Sequence, residues 1–137
     1  MGQSEMPGRH VPAEEAIIDA MPARNAVIAG TIMQVLLAAL AHWSYWIAQH
    51  VLLFGAMMIS AVAGYLYAQD VAKGYAASAA GGLIVGGVCG LFGAAFSVVL
   101  GDTDSSLFVQ NTLIFVFTGG VGGLFGQMSA GIRALGR

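Results

Sequence analysis

Apolar residues run along this chain in four long stretches that are separated by short polar breaks. The stretches cover residues 26–48, 51–69, 75–100 and 107–130. Each is close to the roughly 20 residues that an α-helix needs to cross a hydrocarbon core of about 30 Å. Because the breaks are so short, successive helices must be antiparallel neighbours. The pattern therefore predicts an all-α membrane protein with four transmembrane helices in an antiparallel bundle.

The first 25 residues differ in character, since they hold all three prolines and half of the charged residues. Pro12 suits the first position of a helix, and Glu14 suits its first turn, where the helix dipole favours anions. Apolar residues then fall on one face until Pro22, which should end the helix. We therefore expect a cytoplasmic segment over residues 1–25 with a short amphipathic helix, followed by a four-span domain over residues 26–137. The alternative for the first segment is a mobile polar tail.

Composition and charge place the chain in a membrane and orient it. Hydrophobic residues make up 58% of the chain and charged residues only 9%, whereas about a quarter of a soluble domain is charged. All Lys and Arg residues fall on one side of the four spans, namely Arg9, Arg24, Lys73, Arg133 and Arg137. By the positive-inside rule both termini should be cytoplasmic, in a bacterial inner membrane or an equivalent membrane. Lys and Arg form no run, so nucleic acid is not an expected partner.

The last two stretches contain a glycine-rich internal repeat. Residues 86–93 recur 33 positions later as residues 119–126, with seven of eight residues identical. Small residues at every fourth position give a helix a flat face on which another helix can pack closely. We predict such a helix-packing interface at Gly82, Gly86, Gly90, Gly93, Gly119, Gly122, Gly123, Gly126, Ser60 and Gly64. Two alternatives are an inverted repeat of the kind found in transporters and glycine pairs that bend or unwind the helices.

The predicted spans contain no Asp, Glu, Lys or Arg. Proton relays and voltage sensors need ionisable groups at membrane depth, so the sequence disfavours both functions. The polar groups within the spans are neutral, and Gln34, Thr118 and Gln127 are the candidates for interhelical hydrogen bonds or for contact with a solute. Between the third and fourth spans, Asp102 and Asp104 are expected to cap a helix and to be solvated.

The sequence offers no recognisable catalytic or metal-binding set. Cys89 is the only cysteine, so neither an intrachain disulfide nor a Cys/His metal cluster is expected. No nucleophile with a base, and no pair of carboxylates, falls at one depth on facing helices, so we do not expect an enzyme. Ala38, His42 and Trp46 resemble the way in which single-span light-harvesting polypeptides present a histidine to the magnesium of bacteriochlorophyll. That resemblance implies a pigment ligand at His42, with haem as an alternative.

Three functions are therefore compatible with the sequence. The first is a non-catalytic integral membrane subunit that packs through its glycine-rich helix faces, and so assembles or stabilises a larger membrane complex or a homo-oligomer. Its partners would be the lipid bilayer and other membrane subunits or copies of itself. The second is a small homo-oligomeric channel or facilitator for a neutral or hydrophobic solute. The third is a subunit that binds a pigment or haem.

Overall fold

A computed structural model describes residues 18–136, which form helices joined by short connections. The helices are α1 (Ala20–Trp43), α2 (Tyr45–His50), α3 (Leu52–Val71), α4 (Tyr75–Val99) and α5 (Phe108–Leu135). A single 3₁₀ turn, Ser105–Leu107, precedes α5, and these residues contain no strand. The helices α1, α3, α4 and α5 are long and apolar enough to cross a membrane. This result confirms the predicted all-α architecture with four spans.

The first span differs from its prediction at both ends. Helix α1 begins at Ala20, so Pro22 lies in its first turn instead of ending an earlier helix. Proline is tolerated there because the N–H groups of a first turn have no partner within the helix. At the other end Ser44 is extended, with φ −132° and ψ 102°, so residues 45–50 form the separate helix α2. The predicted amphipathic helix lies largely outside the described residues.

Contacts between helices show which helices are neighbours. Along α4 and α5 the contacting positions run in opposite order, since Gly123 lies against Ser78 and Gly90 lies against Phe115. Helix α1 lies over α3 and α4, where a Cβ atom built on Gly30 would be 3.1 Å from both the Cβ atom of Ala63 and the Sγ atom of Cys89. The absence of a side chain at Gly30 therefore lets α1 approach both helices.

Small residues fill most of the interior, and large apolar side chains face outward. Glycine, alanine and serine occupy most buried positions, with a few larger side chains such as Tyr67 and Phe115 among them. Outside, Phe54 and Phe117 are 66% and 68% exposed. This distribution is typical of helices that pack through small residues and present large apolar side chains to lipid.

The two ends of the bundle differ in charge. At one end the Nζ atom of Lys73 lies 3.0 Å from Oδ1 of Asp19, so the α3–α4 loop meets the start of α1. Arg24 and Arg133, the other basic residues in the described part of the chain, belong to the same end. At the opposite end the α4–α5 loop, which contains Asp102, meets the end of α1. We refer to these as the Lys73 end and the Asp102 end.

Candidate functional site

A cavity of about 340 Å³ opens at the Asp102 end and extends into the bundle. All four spans and α2 contribute to its wall. The apolar lining consists of Ala48, Leu52, Leu53, Ala56, Gly93, Ala94, Leu107 and Phe115. The polar lining consists of Gln34, Ser97, Asp102, Thr103, Asp104 and Asn111. Its volume and its mixture of apolar wall and few polar groups are typical of sites that bind small molecules.

Gln34 contributes the deepest polar group of this cavity. Its side chain is held in place because Nε2 donates hydrogen bonds to the backbone oxygen of Ala56 at 2.9 Å and to Oγ of Ser60 at 3.2 Å. The other end of the amide, Oε1, lies against Gly93, where a Cβ atom would be only 2.9 Å away. Gln34 is 2% exposed, and no group among residues 18–136 donates a hydrogen bond to its Oε1. The cavity therefore ends at an acceptor that has no donor among the described residues.

The mouth of the cavity is formed around Asp102. Helix α4 ends at Val99, and the positive φ of Gly101 (78°) turns the chain so that the Asp102 N–H donates to the backbone oxygen of Ser97. Oδ1 of Asp102 lies 3.2 Å from Nδ1 of His42, which ties the loop to the end of α1. Oδ2 of Asp102 is buried and has no hydrogen-bond partner. Asp102, which lines the mouth, thus has a second carboxylate oxygen without a donor, and that oxygen is covered by its neighbours.

The electrostatic character of the cavity is acidic. Two carboxylates, Asp102 and Asp104, line its mouth, and the described lining contains no Lys, Arg or His. His42 is the nearby group that can carry a positive charge, and it contacts Oδ1 of Asp102. Because like charges repel and a concave wall focuses the field, the site favours ligands that carry positive charge over those that carry negative charge.

The glycines predicted to form a packing interface lie inside this chain. On α4, Gly82, Gly86 and Gly90 face α5, and Gly119 and Gly123 face α4 in return. The remaining predicted glycines lie between α3 and α5 or at the cavity floor: Gly64 lies against Gly119, Gly122 against Ala61, Gly126 against Tyr65, and Gly93 against Gln34. Ser60 is fully buried and accepts the hydrogen bond from Gln34. These small faces are therefore occupied by helices of the same chain.

The three predicted polar contacts lie in three different places. Gln34 lines the cavity, as described above. Thr118 donates its hydroxyl to the backbone oxygens of Ile114 and Phe115 in its own helix, at 2.9 and 3.1 Å. Gln127 lies at the Lys73 end, where its Oε1 accepts a hydrogen bond of 2.8 Å from Oγ of Ser78. The structure thus brings only Gln34 of this set to the cavity.

His42, the candidate cofactor ligand, lies at the rim of the cavity. Its side chain is 46% exposed, and its Nδ1 atom is paired with Asp102. No group of three or more His, Cys, Asp or Glu side chains within residues 18–136 is arranged to hold a metal ion. The contact with Asp102 orients the imidazole and couples α1 to the α4–α5 loop.

Most residues of this site carry no recognisable signal in the sequence. Asp102 and Asp104 were expected to cap a helix, but neither the 3₁₀ turn nor α5 has a side-chain cap, and Asp102 contacts His42 instead. Asn111 and Phe115 carried no signal, since they are ordinary residues of an apolar helix. The feature of the sequence that could have indicated the site is the pair of carboxylates, Asp102 and Asp104, at the same membrane boundary as His42.

Comparison with protein-family models, with curated proteins and with solved structures found no match for this chain. The function is therefore inferred from the geometry of the cavity.

Proposed function

We propose that this chain is a non-catalytic integral membrane protein that binds a small solute in the cavity at the Asp102 end and facilitates its passage. The observation that carries the proposal is the Oε1 atom of Gln34, which has no donor among the described residues and lies at the base of an open cavity. A ligand donor placed at this acceptor adds a hydrogen bond within a largely apolar wall. A solute that supplies the donor would therefore gain affinity from this site.

The depth of the site supports a role in passage across the membrane. Gln34 lies nine residues before the end of α1. At the rise of an α-helix this corresponds to about 14 Å, or roughly half of a hydrocarbon core of about 30 Å. A solute at Gln34 would therefore have travelled to the middle of the membrane. Binding sites near the midplane are characteristic of membrane transporters.

Below the cavity α4 and α5 are in close contact. Gly82 and Gly119 bring the backbones of α4 and α5 together, and a Cβ atom built on Gly82 would lie 2.5 Å from the Gly119 oxygen. Backbones in such close contact leave no room for a solute between these two helices. The described conformation therefore corresponds, in this proposal, to a state that is open at the Asp102 end and closed towards the Lys73 end.

The proposal includes an orientation. In the proposed antiparallel four-span bundle Arg24, Lys73 and Arg133 are all at one end, so the positive-inside rule assigns that end to the cytoplasm. Both termini would then be cytoplasmic, in a bacterial inner membrane or an equivalent membrane. The cavity would open on the opposite side.

The accessory-subunit hypothesis depends on a different surface from the one expected. The glycine faces contact helices of the same chain and are not free for a partner. Association with other subunits, or with copies of the chain, would have to use the large apolar side chains that face outward, such as Phe54 and Phe117. The structure gives no specific reason to prefer this function, whereas the cavity gives one for solute binding.

Reconstituted vesicles test the proposal. Entry of radiolabelled glycerol, urea, glycine, acetate and 6-aminohexan-1-ol would be compared with entry into protein-free vesicles. Ala48 lines the cavity, so Ala48→Trp should block it, whereas Gln49 is exposed and does not line it, so Gln49→Trp serves as the matched control. We expect at least one solute to enter faster with protein, and this entry to be lost in Ala48→Trp alone. Equal entry of every solute with and without protein would contradict the proposal.

A further inference from the structure

We infer that the solute is a small organic cation, with an ammonium group that binds Asp102 at the mouth and a second hydrogen-bond donor that reaches Gln34 at the base. This inference rests on the proposed function and departs from the neutral or hydrophobic solute of the channel alternative in the sequence analysis. It follows from three features of the cavity: the unpaired carboxylate oxygen, the fixed orientation of the Gln34 amide, and the apolar wall between them.

The mouth of the cavity favours an ammonium group. Oδ1 of Asp102 contacts His42, but Oδ2 is buried without a donor, and the Asp102 side chain as a whole is only 15% exposed. A carboxylate oxygen removed from water is costly unless a donor replaces the water. Oδ2 has almost no exposed surface, so a ligand donor reaches it when the Asp102 side chain turns towards the cavity. Hydrogen bonds between an ammonium and a carboxylate are among the strongest in proteins. Asp104 also lines the mouth and adds a second negative charge.

The base of the cavity needs a donor on the ligand. The backbone oxygen of Ala56 can only accept a hydrogen bond, so the nitrogen of the Gln34 amide must face it. This contact fixes Oε1 at the other end of the amide, beside Gly93. An oxygen in this position accepts from an O–H or N–H group of a ligand and offers nothing to a ligand acceptor.

The wall between the two acceptors is apolar. Leu52, Leu53 and Ala94 lie along it, together with Phe115. The N–H of Asp102 donates to the backbone oxygen of Ser97, and Ser97 lies one turn after Gly93. The backbones of Gly93 and Asp102 are therefore about two helical turns, or about 11 Å, apart along the axis of α4. A ligand that satisfies both ends therefore has a short hydrocarbon chain between its ammonium and its second donor. Hydrated inorganic cations do not fit this wall, because they keep polar water on every side.

Isothermal titration calorimetry with the full chain in lipid nanodiscs tests the inference with four ligands of similar length. These ligands are 6-aminohexan-1-ol, hexylamine, hexane-1,6-diol and 6-hydroxyhexanoate. We expect 6-aminohexan-1-ol to bind at least about tenfold more tightly than the diol, because the diol lacks the charge-assisted hydrogen bond, and we expect the hydroxy acid not to bind. Hexylamine should bind more weakly than 6-aminohexan-1-ol, because it has no donor for Gln34.

Two variants, Asp102→Asn and Gln34→Met, test the contacts at the two ends of the ligand separately. Asp102→Asn keeps the size of the side chain and its ability to accept from His42, and it should lower the affinity for 6-aminohexan-1-ol to that for the diol. Asp70→Asn removes a carboxylate at the Lys73 end and should leave the affinity unchanged. Gln34→Met should lower the affinity for 6-aminohexan-1-ol to that for hexylamine, and hexylamine itself should bind Gln34→Met as it binds wild type. Circular dichroism verifies that each variant is folded.

The outcomes distinguish this inference from the proposed function. If the diol binds as tightly as the amino alcohol, or if Asp102→Asn binds both ligands as wild type does, the ligand is not a cation and the inference is overturned, while a solute site remains. If no ligand in this set binds but glycerol or urea enters vesicles through the protein, the inference is likewise overturned and the proposed function stands. If nothing binds and no solute enters, both are wrong.

Discussion

A methyl group at Gly119 is the sharpest test of how the helices pack. Gly119 lies where α3, α4 and α5 meet: Gly64 of α3 contacts its backbone oxygen, and Gly82 of α4 contacts the same oxygen from the other side. A Cβ atom on Gly119 would overlap the backbone oxygen of Gly82 and lie 2.6 Å from the Cα atom of Gly86. These neighbours are backbone atoms, so they cannot rotate away as a side chain can.

The expected loss of stability follows from these distances. Ordinary van der Waals contact begins at about 3.4 Å, so α4 must move by at least about 0.8 Å relative to α5 to accept the methyl group. Overpacking of this kind costs about 1–3 kcal/mol. Alanine also favours the helix over glycine by about 1 kcal/mol, which partly offsets the cost. Gly131 of the same helix has no neighbour within 4 Å, so Gly131→Ala carries the propensity gain without the clash. The difference between the two variants isolates the clash, and we expect Gly119→Ala to be less stable than Gly131→Ala by about 1–3 kcal/mol.

The assay is the free energy of unfolding in mixed micelles, measured by titration with sodium dodecyl sulfate and followed by circular dichroism, with the oligomeric state determined by light scattering. Equal stability of the two variants would refute the packing described above. A Gly119→Ala variant that keeps the stability of each chain but loses an oligomer would indicate that the glycine contacts form between chains.

Four further predictions concern the Lys73 end and the polar groups of α5. Gln127→Ala should reduce the free energy of unfolding by about 1 kcal/mol in the same titration, because Ser78 loses the acceptor of its hydroxyl. Thr118→Val should change the free energy of unfolding by less than about 0.5 kcal/mol, because the hydroxyl bonds only to its own helix. A loss of stability in Thr118→Val larger than that in Gln127→Ala would contradict the hydrogen bonds assigned to these two side chains. Asp19→Asn should change it by less than about 1 kcal/mol, since the ion pair with Lys73 is partly exposed. Lys73→Cys should react with a membrane-impermeant maleimide only when the reagent is on the cytoplasmic side, and labelling from outside would reverse the proposed orientation.

The four spans could be predicted because their length and hydropathy are properties of contiguous residues. The break at Ser44 could not, because Ser44 adopts an extended conformation inside an apolar stretch that has no proline or glycine nearby to signal it. Likewise α5 continues to Leu135, five residues beyond the predicted span, because a helix does not have to end where the membrane does.

The site was less accessible to sequence analysis than the fold. Gln34 could be singled out because an amide within an apolar stretch needs a partner. The partner of Asp102 is His42, sixty residues away in the chain, and only the three-dimensional arrangement of α1 and the α4–α5 loop brings them together. Glycine spacing predicted close helix packing, but spacing does not specify whether the other helix belongs to the same chain.

The reactivity of a cysteine at position 97 tests the central claim, an acidic cavity that solutes enter from the Asp102 end. Ser97 lines the cavity, and Ser97→Cys changes only one atom of the side chain. Wild type, whose single Cys89 is buried, provides the background. We expect Ser97→Cys to react at least about tenfold faster with a cationic methanethiosulfonate than with an anionic one, because the carboxylates concentrate cations at the mouth, and we expect 6-aminohexan-1-ol to slow the reaction. A cysteine that reacts with neither reagent, or with both at the same rate, would contradict the account.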